Sequence, residues 1–565
     1  MVELQIIEIL KKFGVTGAIE LTTPPNPGMG DLAFACFGLA KEWKMSSAAV
    51  AVKLKFKIED LRLKIVERVE TDGPYLNFYL NTSEVAKLVI GQIKKEGEKY
   101  GSTKIGKGKK VMIEYPSNNT HKEFHIGHFR NVCVGNLLVQ LYKKTGHTVY
   151  PVNYLNDFGS HVAKCLWGLK KFHLNETSPE NKQKWLGQIY AEASNYLKDH
   201  PEAQSEVAEV QKKLESEDKG LWPLFLETRQ WSIDKFEELF GELSVYHEAV
   251  FYEKDLKQQG HKLVDELLKK GIAKVGEGGA IIVDLTPFKL DIALARKSDG
   301  AGLYLTSDLP LAKEKFKKFD VDESITITGQ EQIFYFKQLF KVLELLGFKK
   351  KLTHISYGLV NLPEGKMSSR TGRVILYEDL RDSVYAKMYG ETKERHAGEW
   401  DEEKIVDTAK SLCMAALKFD TQKHEAAKNI VFDIKEATSF EGFSGPYVLY
   451  VVARINSLLK KSKVINLKSK VSVANLRESE EKRLLLLMDN YGEVVEKALK
   501  EYNPSVIARY CFDLAQAFND YYNKHSVLKA ETQELISARL ALAGSVSQIL
   551  RDALDLLTIE TVKEM

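Results

Sequence analysis

Residues 114–128 read Glu-Tyr-Pro-Ser-Asn-Asn-Thr-His-Lys-Glu-Phe-His-Ile-Gly-His, a polar loop that ends in His125-Ile126-Gly127-His128. The apolar triplet Val111-Met112-Ile113 precedes it, and Val134, Leu137, Leu138 and Leu141 follow at the spacing of one helical face. Gly146 closes that helix, and Thr148 to Leu155 reads as another strand. The pattern predicts a compact βαβ unit whose helix N-terminus points free N–H groups at an anion in the loop. A triphosphate is the anion such a loop suits.

A second signal lies about 240 residues downstream, where Lys366-Met367-Ser368-Ser369-Arg370 follows the strand-like Ile355 to Val360 and a Leu-Pro-Glu-Gly turn. In this order and at this separation the two segments resemble the paired signatures of class I aminoacyl-tRNA synthetases. The second has the degenerate form common among arginyl-tRNA synthetases.

A chain of 565 residues exceeds one core, so three or four domains are expected. The composition, 44% hydrophobic and 28% charged, is that of ordinary globular material, and a net charge of +3 neither demands nor forbids a nucleic-acid partner. Lys104, Lys107, Lys109 and Lys110 crowd one segment, which reads equally as a solvated linker or an RNA contact. The five cysteines are scattered and never form a C-x-x-C pair, so neither a disulfide framework nor structural zinc is expected. Without a secretory pattern or a run of 18 apolar residues, a cytoplasmic protein with no membrane partner is expected.

Residues 1–105 read as a small α/β module, with a turn-rich Pro24 to Asp31 and a strand at Tyr75 to Leu80 that alternates like a half-buried one. Across 106–385 strands recur between helices, at Ile281 to Leu285, Leu303 to Thr306, Ile325 to Thr328 and Ile355 to Val360. Alternation of this kind predicts a Rossmann-type, doubly wound parallel sheet, interrupted by a helical insertion at about 170–270. From 386 to 565 no strand is evident and helical periodicity takes over, as in Ile405, Ala409, Leu412, Ala416 and Phe419. A helix bundle follows. The fold class is therefore α/β plus all-α.

The likeness to arginyl-tRNA synthetases extends from end to end. Gly30-Asp31 and Gly73-Pro74-Tyr75-Leu76-Asn77-Phe78 resemble that family's N-terminal domain, which touches the tRNA elbow. Gly302-Leu303-Tyr304-Leu305-Thr306-Ser307-Asp308 resembles its arginine pocket, and the segments 445–454 and 551–557 resemble its anticodon-binding bundle. The resemblance implies a monomer that uses ATP with Mg²⁺, L-arginine and tRNA(Arg), and that activates arginine as the adenylate when tRNA is present.

Such chemistry is mainly alignment and neutralisation of phosphate charge. His125 and His128, three apart, can both face the nucleotide as donors, and Gly127 lets adenine approach the backbone; read alone, the histidines could equally cap the helix. Lys366 supplies a cation for pyrophosphate, with Met367 beside it and Ser368 and Ser369 as donors. Ser369 stands where class I enzymes usually carry a second lysine, and Lys122 occupies the place from which many arginyl enzymes replace it.

A guanidinium needs carboxylates in fork geometry and a planar partner. By resemblance Asp308, at a strand end, and Tyr304 hold it, Gln330 adds a contact, and Glu114 with Asn119 holds the α-amino and carboxylate end; Asp308 could also be a helix N-cap before Leu309-Pro310. Tyr447, Tyr450 and Arg454 share one helical face and by resemblance meet the anticodon with Tyr522 and Met565, although tyrosines at this spacing also make plain bundle core. Tyr75 and Asn77 match D-loop contacts. Asn118, Glu123 and Asp72 depart from the commonest family wording, which bears on the local field and on elbow recognition.

Two readings from other classes compete. A small-molecule adenylyl transferase could share the histidine chemistry but has no need of a helical C-terminal third. A non-catalytic RNA-binding relative would shed His125, His128 and Lys366.

Overall fold

The computed structural model describes every residue except 62, 175, 364–374 and 463–471. The N-terminal sheet holds β1 (Leu21–Thr22), β2 (Leu32–Ala35), β3 (Val66–Asp72) and β4 (Tyr75–Leu80), in the order β1-β2-β4-β3. Because β4 is an inner strand, Leu76 to Leu80 are all buried and the expected alternation is absent. Its outer face is covered by the 26–30 turn, whose Gly28 carbonyl accepts from the Tyr79 hydroxyl at 2.7 Å, and by the Arg68 guanidinium on the Tyr79 ring.

The chain then lays down β5 (Lys110–Glu114), β6 (Thr148–Leu155) and β7 (Ala249–Tyr252), diverts into an antiparallel sheet of β8 (Ala273–Val275), β9 (Ile281–Asp284) and β10 (Ile292–Arg296), and returns for β11 (Glu323–Gly329) and β12 (Lys351–Tyr357). The main sheet runs β12-β11-β5-β6-β7 with every pairing parallel. Strands buried on both faces read as continuous runs, and all seven residues of β11 are buried. Successive units wind from β5 towards β7, whereas β11 joins on the opposite side of β5. That reversal makes a topological switch point, where open α/β sheets bind ligands beyond the strands' carboxyl ends.

Four expectations are corrected. Ile281 to Leu285 belongs to the small antiparallel sheet rather than the parallel one. Leu303 to Thr306 is no strand: Leu303 is extended, its N–H donates to Thr306 Oγ1 at 2.9 Å, and the helix Tyr304–Lys318 starts there. Short apolar runs do not distinguish the two states. Within the insertion, Ala249–Tyr252 forms the sheet's edge strand, and beyond residue 386 Ile430–Val431 (β14) pairs in parallel with β13 (Val360–Asn361).

The helix Ile126–Lys144 is packed nearly all round, between the sheet and the C-terminal bundle. Arg130, 1% exposed, donates to the carbonyls of Gly358 (2.8 Å), Leu359 (3.1 Å), Glu425 (3.2 Å) and Ala426 (3.1 Å). One side chain thus joins this helix, the end of the sheet and the bundle. The N-terminal module leans on the bundle through the Met1 ammonium on Asp489 (3.0 Å) and Lys482 on Asp31 (2.9 Å). Replacing Arg130→Met strands these buried acceptors, so unfolding free energy should fall by about 3 kcal/mol, read from denaturant titration.

Candidate active site

At the switch point the first helix is capped by its own histidines. Nδ1 of His125 accepts from the N–H of Gly127 (3.1 Å) and of His128 (3.3 Å), while Nδ1 of His128 accepts from the N–H of His125 (3.2 Å). The rings stack at 3.7 Å with 18° between planes. A nitrogen that accepts carries no proton, so each ring keeps its hydrogen on Nε2. Burial, aided by the Lys122 charge, lowers His125 to about 4; burial, then His125 and Lys122, holds His128 well below its ordinary value. Both are neutral at pH 7 and keep an Nε2–H to donate, so the capping role does not use up the donor. Gly127 suits this cap, since a Cβ there would crowd the His125 ring at 3.0 Å.

The loop before the cap is held by the insertion. His121, fully buried with φ of 61°, donates its backbone N–H to Ser232 Oγ at 2.9 Å, and its ring contacts the hydroxyls of Thr120 and Thr228. The Lys122 carbonyl accepts from Gln183, and its ammonium lies 4.9 Å from the centre of the Tyr190 ring. Glu123 packs on Gly187 beside Lys184, and burial raises its pKa. Asn118 is buried, its carbonyl accepting from Asn156 N–H at 2.9 Å. Lys366, Met367, Ser368 and Ser369 lie outside the described residues. The segment that follows them is bonded to the histidine loop, Ile126 N–H to the Ile375 carbonyl (3.0 Å) and Tyr377 N–H to that of Phe124 (3.1 Å).

Beside the cap lies a cavity of about 380 Å³ lined by Glu114, Asn119, Tyr304, Asp308 and Tyr335 among others. Asp308 sits in the second turn of the helix Tyr304–Lys318, neither at a strand end nor as an N-cap. This places it one turn from Tyr304 on the same face. Tyr335 donates its hydroxyl to Asp308. Burial raises Asp308 to about 7, with Glu114 pushing further up and the Tyr335 bond and Lys315 pulling down. Glu114 is buried in an ion pair with Lys315.

Glu253, which sequence reasoning missed, accepts from Ser307 Oγ at 3.2 Å and is raised to about 8 by burial and by Asp157 and Asp308. Its only sequence signal was the strand-to-helix boundary at Tyr252-Glu253, hidden because β7 went unread. Gln330 does not line the cavity; its amide donates to Asn429 at 3.0 Å, and Glu331 and Gln332 face the cavity instead. Buried acids held up in pKa without a full complement of cations mark a site built for a cationic ligand.

Comparison with known proteins agrees along the whole chain. Residues 89–434 match the family described as tRNA synthetases class I (R), catalytic domain; 448–565 match the DALR anticodon binding domain and 2–80 the arginyl tRNA synthetase N terminal domain. The arginine–tRNA ligase of Clostridium perfringens is 34% identical over 96% of this chain and 95% of its own, and that of Borrelia turicatae 33% over 97% and 94%. This chain belongs to the arginyl-tRNA synthetase family. The fold is shared with the solved arginyl-tRNA synthetase of Thermus thermophilus (TM-score 0.80, 24% identity, 100% of this chain and 99% of that one). It is shared also with that of Plasmodium falciparum (TM-score 0.74, 18% identity, 100% and 98%).

In this synthetase's bundle, Arg454 donates to Tyr450 OH (2.8 Å) and Asn519 Oδ1 (2.7 Å), Asn519 donates to Tyr447 OH (2.9 Å), and the guanidinium rests on the rings of Tyr450 and Tyr522. The four predicted residues form one polar-aromatic cluster rather than plain core, and Met565 is half-buried on the apolar core. At the other end Tyr75 is exposed, edge-on to an exposed Phe37, with Asp72 exposed at the same hairpin. Asn77, however, is 4% exposed inside β4 and presents nothing to a partner in this conformation. Lys104, Lys107 and Lys109 are exposed. Among the described residues no helix is long and apolar enough to cross a membrane, and no group of three or more His, Cys, Asp or Glu could hold a metal ion.

The raised acids carry a stability signature. A carboxyl whose folded pKa lies above its unfolded value destabilises the fold as pH climbs from the unfolded value through the folded one. Glu253→Gln should therefore leave ligand-free stability at pH 5 unchanged and raise it by a few kcal/mol at pH 9, measured by calorimetric unfolding at both pH values.

Proposed function

We propose that the chain is an arginine–tRNA ligase in which the acidic cavity selects the amino acid and the histidine cap grips ATP. Its activity consumes ATP and L-arginine, forms arginyl-adenylate, esterifies the terminal adenosine of tRNA(Arg), and releases AMP and pyrophosphate. The observation that carries this reading is Asp308, a raised carboxyl that lines the cavity with Glu253 behind it on Ser307, at the sheet edge that also presents two neutral imidazole donors. A guanidinium held by Asp308 and Tyr304 restores the ionisation of Asp308, which an uncharged side chain cannot do. Glu114 and Asn119 then hold the α-amino end, so that the substrate carboxylate faces the α-phosphorus. The Nε2–H groups of His125 and His128 meet phosphate oxygens as charge develops there. Lys122 adds a cation, with Lys366 to Ser369 as the second phosphate contact.

Magnesium arrives with ATP as part of the substrate, and no residue is assigned to structural zinc. We read the chain as a cytoplasmic monomer in three units, 1–105 for the tRNA elbow, 106–385 for catalysis and 386–565 for the anticodon. Tyr75 serves the first, and Tyr447, Tyr450, Arg454, Tyr522 and Met565 serve the last. A binding-only relative would have no use for the reciprocal histidine cap, and a small-molecule adenylyl transferase none for the Arg454 cluster.

Pyrophosphate exchange, run with tRNA and each of twenty amino acids, should respond to arginine alone. Asp308→Asn should lower kcat/KM for arginine about a thousandfold, since stranding a charge in a buried site costs about 4 kcal/mol. In the parent the KM for arginine should fall as pH rises through about 7, where Asp308 ionises. Equal stimulation by neutral amino acids, or a pH-independent KM, would refute the assignment. In the bundle, Arg454→Gln should raise the KM for tRNA about tenfold while the KM for arginine stays put, as measured by aminoacylation.

A further inference from the structure

A second lysine lies beside Lys122. Lys164 belongs to the helix Ser160–Phe172, which starts just past the carboxyl end of β6, next to β5 in the sheet. Its ammonium lies 5.3 Å from the centre of the Tyr190 ring, the ring that Lys122 contacts at 4.9 Å. The two charges therefore cannot stand further apart than those distances laid end to end. Neither meets a carboxylate among the described residues. By contrast, Lys171 and Lys257, which also lean on rings of this region, each carry an acid, Glu206 at 3.1 Å and Glu215 at 3.2 Å.

The acids nearest in sequence are committed elsewhere, Glu123 against Gly187 and Asp157 to Arg229 at 2.5 Å. Both lysines also act on His161, whose Nε2 contacts the Asn156 carbonyl at 3.1 Å; burial first, then Lys122, His121 and Lys164 lower it to about 3.

Two like charges gathered in a partly desolvated mouth repel each other, and one aromatic face offsets only part of that. What the arrangement lacks is a polyanion that spans both. We propose that Lys164 is a second cationic contact for the ATP phosphates, sharing with Lys122 the charge that Ser369 does not provide. Tyr190, from the helix Lys182–Asp199 of the insertion, is the platform that sets the spacing of the two ammonium groups. This rests on the reading of Lys122 and the histidine cap as the triphosphate site.

The test is tRNA-dependent pyrophosphate exchange on the full chain with Lys164→Met, Lys164→Arg and Lys122→Ala. Methionine keeps an apolar stem on Tyr190 and removes only the charge. Lys164→Met should lower kcat/KM for ATP at least about tenfold and raise the KM for pyrophosphate, with the KM for arginine and the thermal midpoint unchanged. Lys164→Arg, which keeps the charge, should recover most of that loss.

ATP kinetics within about twofold of the parent for Lys164→Met, with Lys122→Ala impaired, would overturn the second cation and leave the first. Silence of Lys122→Ala as well would remove the triphosphate reading and this proposal with it. A loss that arginine does not rescue, with the melting point falling in step, would make Lys164 a packing residue and overturn the proposal.

Discussion

Everything at this site depends on a helix capped by its own imidazoles. The first amides of an α-helix have no partner within the helix, and here Gly127 and His128 give theirs to the ring of His125, while His128 closes the exchange from the other side. Three consequences follow from that single exchange. The Nδ1 atoms are consumed, so the Nε2–H groups are the free donors; the rings are stacked; and a Cβ at position 127 would crowd the His125 ring at 3.0 Å. Two neutral donors are thereby oriented before any ligand arrives, so a developing negative charge there would require no reorganisation.

Charge is divided across the same sheet edge. Around the helix Tyr304–Lys318 acids accumulate, with Asp308 and Glu253 held up in pKa and Glu114 already matched by Lys315. On the side of the insertion, cations accumulate around Tyr190. Each half is poorly satisfied alone, and under the proposed function a cationic amino acid beside a polyanionic nucleotide would satisfy both. The cost of holding unmatched charge is carried by the packed helices round it, as expected where a fold spends stability on a site.

The β5–helix–β6 unit was legible in the sequence because its period is strong: apolar residues at one helical face, a glycine stop, and eight residues of strand whose bounds match the structure. The bundle was legible for the same reason. What was not legible depended on neighbours far along the chain. Leu303 to Thr306 is too short and apolar to declare itself, and it becomes a helix start because Thr306 Oγ1 bonds both the Leu303 N–H and the Ala295 carbonyl. Ala249–Tyr252 is a strand only because β6 lies beside it, and Glu253 went unseen with it. Asn77 is buried by a turn fifty residues upstream, and Gln330 and Gln332 differ in facing by the local geometry of a single short turn. Identity of the chemistry is written locally, whereas the facing of each side chain is a tertiary property.

The same neighbours make the RNA-facing bundle and the chemical site one mechanical body. Tyr377 stacks on Phe129 of the capped helix at 5.0 Å, gives its amide to Phe124, and donates its hydroxyl to Glu242 at 2.6 Å; Glu242 also holds Arg381 at 2.7 Å. Lys418, buried in the helix Glu402–Gln422, donates to the Leu243 carbonyl (3.4 Å) and the Thr558 carbonyl (2.6 Å), so the end of the bundle is fastened one residue beyond Glu242. Close-packed interiors transmit small shifts rather than absorbing them. A displacement of the bundle therefore reaches Phe124 through three hydrogen bonds, Lys418 to Leu243, Tyr377 to Glu242 and Tyr377 to Phe124.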